Sequence, residues 1–224
     1  MIRFFDIIFS LIALILLSPV LLIICLLLKF TGEGEIFYLQ SRVGKGKQNF
    51  SLFKFATMLK DSENIGSGTV TIHNDPRILP MGRFLRNSKL NELPQLINIL
   101  KGDMSIIGPR PQTQRCFDAF SDEVQNAISK VRPGLSGIGS IIFSKEELML
   151  KDIESIEVYD KVIAPYKGSL EIWYISNNNI YSYFALILST ILVIFFGSTR
   201  ILNLFFKDLP LPSDEASELL KNNN

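Results

Sequence analysis

The densest chemistry in the chain lies in residues 75–111, DPRILPMGRFLRNSKLNELPQLINILKGDMSIIGPRP. Arg77, Arg83, Arg86, Lys89, Lys101 and Arg110 are basic there, and Asp75, Glu92 and Asp103 are acidic. Arginine presents a planar fork of donors that matches phosphate oxygens. Carboxylates next to a diphosphate are suited to Mg²⁺. Leu93, Leu96, Ile97 and Leu100 recur at helical spacing, and Pro94 fits only in a first turn. The spacing therefore predicts a helix starting near Leu90 or Asn91. Such a start directs free N–H groups and a positive dipole end from Asn91-Glu92 toward an anion. The competing reading of the same charges is a solvated face with local ion pairs.

These residues need a scaffold. The soluble part is expected over residues 31–170, where turn residues recur: TGEGE, VGKGKQ, SENIGSG, HNDPR, LKGD, IGPRP and VRPG. EIFYLQSRV and NFSLFKFATM read as strand-like or of short mixed character, Phe117 to Val131 as an amphipathic helix stopped by Pro133-Gly134, and Asp152 to Ile163 as a further helix. Ahead of this part, Ile7 to Leu28 carries no charge. The run is roughly 22 residues, near the ~20 that cross a bilayer. It is longer than a signal-peptide core, and no small-x-small cleavage site follows it, so it is expected to be retained. Ser18-Pro19 sits in its middle, and proline removes one backbone N–H. Two readings stay open at this point: a kinked spanning helix, or a helix that breaks and re-emerges on the side it entered.

A second apolar run, Phe184 to Phe196, is short for a span and reads as interfacial or, with its flanks, as a tilted second crossing. Trp173, Tyr174, Tyr181 and Tyr183 precede it and suit either a membrane interface or a core. The organisation expected is 1–30 as membrane helix, 31–183 as catalytic domain, 184–206 as membrane-interfacial or embedded helix, and 207–224 as a polar, mobile tail.

Composition removes several classes. The 224 residues hold 47% hydrophobic and 20% charged residues, which argues against disorder and against an ordinary soluble domain. Lys+Arg 23 against Asp+Glu 22 leaves a net charge of +1, so no general grip on nucleic acid is expected. Two cysteines, Cys25 and Cys116, make no disulfide framework and suit a reducing compartment. One histidine, His73, reads as a surface residue and leaves no His-rich metal cluster.

Taken together, the ordered elements resemble the monotopic phosphoglycosyl transferases, the bacterial sugar transferases that start glycan assembly on a polyprenyl phosphate. The resemblance rests on the apolar N-terminus with Ser18-Pro19, GEIFYLQSRVGKGKQNFSLFKFATM, DPRILPMGRFLR, ELPQLINILKGDMSIIGPRP and VRPGLSGIGS, in the family's order. It implies an α/β membrane-associated fold: a re-entrant N-terminal membrane helix at Ser18 and Pro19, a small mixed, mainly helical catalytic domain, and interfacial amphipathic helices. The implied activity moves a phosphosugar from a UDP-sugar to undecaprenyl phosphate with UMP release, in exopolysaccharide, capsule or other glycoconjugate synthesis. The implied setting is the cytosolic face of the bacterial inner membrane, with Mg²⁺ as cofactor and a homodimer left open.

The family's nucleophile is an Asp directly before Glu-Leu-Pro-Gln, and here that position is Asn91. A neutral amide is a poor nucleophile. Three readings follow: Glu92 or Asp103 takes over, transfer is direct, or the chain is an impaired homologue that binds carrier lipid or nucleotide sugar or partners an active enzyme. Ala56 stands where the family usually has Arg, removing one phosphate contact. The resemblance implies Glu92 as catalytic group and metal ligand. It assigns phosphate contact to Arg77, Arg83, Arg86, Arg110 and Arg132, with Pro133 and Gly134 shaping a loop beside the site. Asp103 and Ser105 are expected either at the site or as turn caps.

Overall fold

The computed structural model describes residues 1–66, 68, 71, 74–149 and 155–222. His73 and the start of the helix expected from Asp152 lie outside the described residues. The chain runs α1 (Ile2–Phe30), β1 (Phe37–Val43), β2 (Asn49–Phe55), α2 (Pro80–Asn87), a 3₁₀ turn (Leu90–Glu92), α3 (Gln95–Lys101), β3 (Ser105–Ile107), α4 (Gln114–Asp118) and α5 (Asp122–Ile128). Then follow β4 (Gly134–Ser136), α6 (Ile138–Ile142), α7 (Glu146–Met149), α8 (Ser155–Val158), α9 (Ala164–Ser176), α10 (Ile180–Phe196), α11 (Leu202–Phe205) and α12 (Asp214–Asn222). β1 and β2 form an antiparallel hairpin, and β3 and β4 a short parallel pair.

α1 continues through Pro19 without a break, unlike the interrupted helix expected there. The reason is local. Pro19 cannot donate to the carbonyl of Ile15, four residues back, and the Ser18 hydroxyl donates to that same carbonyl at 2.8 Å. Both ends of α1 dock on one domain. Near its start, the Arg3 guanidinium donates to the Ile99 carbonyl at 2.6 Å and to the Leu100 carbonyl at 3.0 Å, capping the last turn of α3. The buried Asp6 carboxylate accepts from the Ser105 hydroxyl at 2.9 Å, the Ile106 N–H at 2.9 Å and the Tyr183 hydroxyl at 2.9 Å. Near its end, Ile24 and Leu28 pack on Phe55 and Leu85. Between them Ala13 and Leu14 touch the cluster of Leu52, Leu96, Ile99 and Met104. The outward face, including Leu11, Ile15, Leu16, Leu22 and Ile23, is exposed and apolar.

The main core joins β3, α4 to α7 and α9 to α12 around Ile107, Ile138, Ile163, Leu170 and Leu186. α10 begins at Ile180 and shares this core through Tyr183, Leu186 and Val193, so the 184–206 segment is not a separate layer. The tail also departs from expectation. α12 docks through Ala216, Leu219 and Leu220, and Tyr166 donates to the Pro210 carbonyl at 3.1 Å. Tyr174 and Tyr183 are core residues rather than interface anchors, whereas Tyr181 is exposed. The helix expected over Phe117 to Val131 is two short ones, because Ser121 caps α5 by accepting from the Val124 N–H.

β3 ends in Gly108 and runs against Gly134. A Cβ built on Gly134 would stand 2.1 Å from the Gly108 nitrogen, a distance that backbone cannot yield cheaply. Gly134→Ala is therefore expected to destabilise the domain by ~1–3 kcal/mol, read as a lowered thermal midpoint of the purified chain in detergent. An unchanged midpoint would mean the two backbones do not approach this closely.

Candidate active site

Side chains alternate along the hairpin, so Tyr38, Gln40 and Arg42 share a face with their partners Lys54, Leu52 and Phe50. Gln40 Oε1 accepts from Arg42 Nε at 3.1 Å and from Lys54 Nζ at 3.4 Å. Arg42 Nη1 donates to the Pro111 carbonyl at 3.0 Å. The hairpin is thereby tied to the Pro109-Arg110-Pro111 turn that leaves β3. That turn delivers the Arg110 guanidinium to Glu92, with Nη2 donating to Oε1 at 3.2 Å.

Glu92 lies in the 3₁₀ turn and not at the free helix start expected from the spacing. Its N–H donates to the Lys89 carbonyl, and α3 begins only at Gln95, with Pro94 as its N-cap residue. The electrostatics follow from this crowding. Burial alone would raise the Glu92 carboxyl, but Arg110, Lys54 and Lys89 outweigh it and hold it at about 2. Glu92 is therefore an anion at neutral pH: a nucleophile or cation ligand, not a proton donor. Burial pushes the Lys54 ammonium well below its ordinary value, and Arg42 adds to this against the opposing pull of Glu92. Burial and Arg110 lower Arg42 to about 10. Asn91 is buried, and its Oδ1 has no hydrogen-bond partner.

These groups open onto a cavity of about 1130 Å³. Arg42, Lys54, Arg86, Asn91, Glu92 and Arg110 line it, and so do Leu28, Ile187, Ile191 and Ile194 from α1 and α10. At another edge Lys167 Nζ meets Glu146 Oε2 at 2.6 Å. Ala56 also lines the cavity, where the resemblance implied an arginine.

Several expected site residues are elsewhere. Arg77 is buried in a clasp: it pairs with Asp75 at 2.8 Å through Nε and donates to the carbonyls of Ser62, Ile65 and Gly68. Its fork is engaged with Asp75, Ser62, Ile65 and Gly68, and it does not line the cavity. Arg83 is exposed on α2 and does not line the cavity. Arg132 is exposed and donates to the Gly102 carbonyl at 2.7 Å. Asp103 accepts from Asn98 Nδ2 at 3.1 Å, while Asn98 also bonds the β2 backbone at Phe53 and Ser51. It is a structural turn residue, and Ser105 belongs to the Asp6 anchor. Arg86 does line the cavity and donates to Thr71 Oγ1 at 3.0 Å. Arg42, Lys54 and Gln40 were not singled out from the sequence. Their signal was the alternation of charged and apolar residues in the two strand-like segments.

Three cations around one carboxylate, beside an apolar wall, have the chemistry to meet a phosphorylated, partly apolar molecule. The chain belongs to the bacterial sugar transferase family, whose model matches residues 1–197. It is similar to a UDP-N-acetylgalactosamine-undecaprenyl-phosphate N-acetylgalactosaminephosphotransferase of Aeromonas hydrophila, 39% identical over 142 residues, covering 62% of this chain and 33% of that protein. It is also similar to a putative undecaprenyl-phosphate N-acetylgalactosaminyl 1-phosphate transferase of Bacillus subtilis, 39% identical over 133 residues, covering 59% of this chain and 73% of that one. A third relative is a UDP-glucose:undecaprenyl-phosphate glucose-1-phosphate transferase of Escherichia coli, 38% identical over 138 residues, covering 61% and 30%. The matched region thus spans about a third of the Aeromonas and Escherichia relatives.

The two arginines Arg110 and Arg132 separate site from surface. Arg110→Ala is expected to weaken UDP binding ~10-fold or more, the loss of one charge-assisted contact. Arg132→Ala is expected to stay within ~2-fold, as an exposed contact does. Calorimetric titration of UDP into each variant checks both, and equal losses would dissolve the distinction.

Proposed function

We propose that the chain transfers a phosphosugar from a UDP-sugar to undecaprenyl phosphate with release of UMP, the first membrane step of polysaccharide or glycoconjugate synthesis. The observation that carries this reading is the meeting of Arg42, Lys54, Arg110 and Glu92 with an apolar wall of α1 and α10 in one cavity. A nucleotide diphosphate needs the first, and a polyprenyl chain needs the second. The activities for which the relatives are named agree with it.

Arg110 and Arg42 bind and orient the diphosphate and counter the charge that would repel an anionic nucleophile. With Asn91 neutral and Asp103 engaged outside the cavity, Glu92 is the group for the covalent step. Its carboxylate oxygen attacks the β-phosphorus, and an O–P bond forms as the bridging P–O bond breaks and UMP leaves. A phosphate oxygen of undecaprenyl phosphate then attacks the same phosphorus and frees the carboxylate. Glu92 and the unpartnered Asn91 Oδ1 fit Mg²⁺, which takes one or two protein oxygens and the rest from phosphate and water. When bound, it would offset phosphate charge. Among the described residues no cluster of three acidic, His or Cys side chains offers a fuller cage.

The setting is the inner membrane, catalytic face toward the cytosol, where UDP-sugars are found. The docking of both α1 ends on one domain, with an exposed apolar face between them, supports an unbroken helix that stays on the domain's side of the bilayer with that face toward lipid. A second reading rests on Asn91 itself. A buried, unpaired neutral amide at the family's nucleophile position suits an impaired homologue that binds the substrates for an active partner.

UMP release from a panel of UDP-sugars with undecaprenyl phosphate separates these readings. Activity that Glu92→Gln abolishes and Asn91→Asp keeps or raises is expected. Release without the carrier lipid would mark the covalent step, and release only with it would mark direct transfer. No release on any UDP-sugar, restored by Asn91→Asp, would favour the impaired homologue. Full activity in Glu92→Gln would remove Glu92 from the chemistry.

A further inference from the structure

Glu146 and Lys167 line the cavity, yet the transfer chemistry leaves both unused. Lys167 of α9 is 3% exposed, and its Nζ donates to Glu146 Oε2 at 2.6 Å. The ammonium also stands over two buried rings, 5.3 Å from the Phe143 centroid and 5.4 Å from that of Tyr159. These contacts fix its place. Glu146 begins α7, and its side chain is 21% exposed. Among the described residues no hydrogen bond reaches its Oε1. One oxygen is anchored, and the other is left for a ligand.

Continuous backbone joins this corner to the phosphate site. From Arg110 the chain passes through Gln112, whose carbonyl accepts from the Val43 N–H at 2.9 Å, to Thr113, which caps α4. α4 carries Arg115, which pairs with Asp160 at 2.8 Å and lies over the Tyr159 ring at 5.6 Å. Gln112, Thr113 and Cys116 line the cavity along this path.

The corner suits a hydroxyl better than a phosphate or a base. A fixed carboxylate repels phosphate, and the ion pair as a whole is neutral. An ionised carboxylate only accepts, so its partner must be a donor. A base stacks on a free aromatic face, and here Lys167 covers a face of each ring. The carbohydrate of a UDP-sugar has donors of the right kind. Its transferred sugar hangs on the β-phosphate, the one beside Arg110 and Glu92.

We propose that Glu146, held in place by Lys167, binds a hydroxyl of the sugar that is transferred, and so helps to select it. This rests on the reading that Arg110 and Arg42 hold the diphosphate.

The test is calorimetric titration of pyrophosphate, UDP, UDP-glucose and UDP-N-acetylgalactosamine into the full chain in detergent, with thermal midpoints in parallel. Removing Glu146 alone would strand a buried ammonium, so Glu146→Leu is combined with Lys167→Met, which exchanges the ion pair for apolar side chains. The double variant is expected to keep its midpoint and to bind pyrophosphate and UDP within ~2-fold of the unaltered chain, while the tighter of the two UDP-sugars weakens ~10-fold. If it does not fold, Glu146→Gln, which keeps the shape and loses the charge, takes its place, with a ~3-fold loss expected for the UDP-sugar alone. Unchanged UDP-sugar affinity would overturn the sugar role. An equal loss for UDP would move the contact to the nucleoside and overturn it too, and an equal loss for pyrophosphate would reduce the pair to a support of the cation cluster. If the unaltered chain binds neither UDP nor a UDP-sugar, the diphosphate reading fails and this assignment fails with it.

Discussion

The structure is organised around an excess of buried positive charge. Arg42, Lys54 and Arg110 face one carboxylate, Glu92, across one cavity. Burial is the larger cause of the lowered proton affinities of Lys54 and Arg42, and the neighbouring cations add to it. A dianionic or trianionic ligand relieves the mutual repulsion. The cluster is held because the hairpin register sets Gln40 between Arg42 and Lys54, and because a proline-stiffened turn brings Arg110 from the other side.

The apolar parts serve the same arrangement. α1 is anchored at its start by Arg3 on the carbonyls of α3 and by Asp6 on β3 and α10, and at its end by Leu28 against Phe55. Each anchor touches an element that also carries or borders a cavity residue: α3 follows Glu92, β3 leads into Arg110, and β2 holds Lys54. The long apolar helix is thus part of the frame that positions the charges. Its exposed face and that of α10 continue the apolar wall on which a prenyl chain would lie.

Much of this was legible in the sequence, for physical reasons that differ by element. The two segments of the hairpin were visible as strand-like, though not their pairing, and α1 followed from an uncharged run too long for a soluble strand or turn. The resemblance pointed to Glu92 and the flanking prolines to Arg110, and the structure sets both on the cavity wall. Charge alone misled elsewhere. Arg77 and Arg132 carry the same fork as Arg110, but internal carbonyls take it, and sequence does not reveal whether a fork is already occupied. Asp103, expected either at the site or as a turn cap, closes a turn with Asn98. Arg42 and Lys54 emerged only from register, a long-range property. The docked tail depends on three small contacts, Ala216, Leu219 and Leu220, in a segment polar on average.

The central claim is that the cavity recognises a diphosphate through its buried cations. Parallel calorimetric titrations of UDP, UMP and uridine into the same preparation test it most directly. The account predicts UDP binding at least ~10-fold tighter than UMP, one charge-assisted contact's worth, and no measurable uridine binding. Equal affinity for uridine and UDP would contradict it.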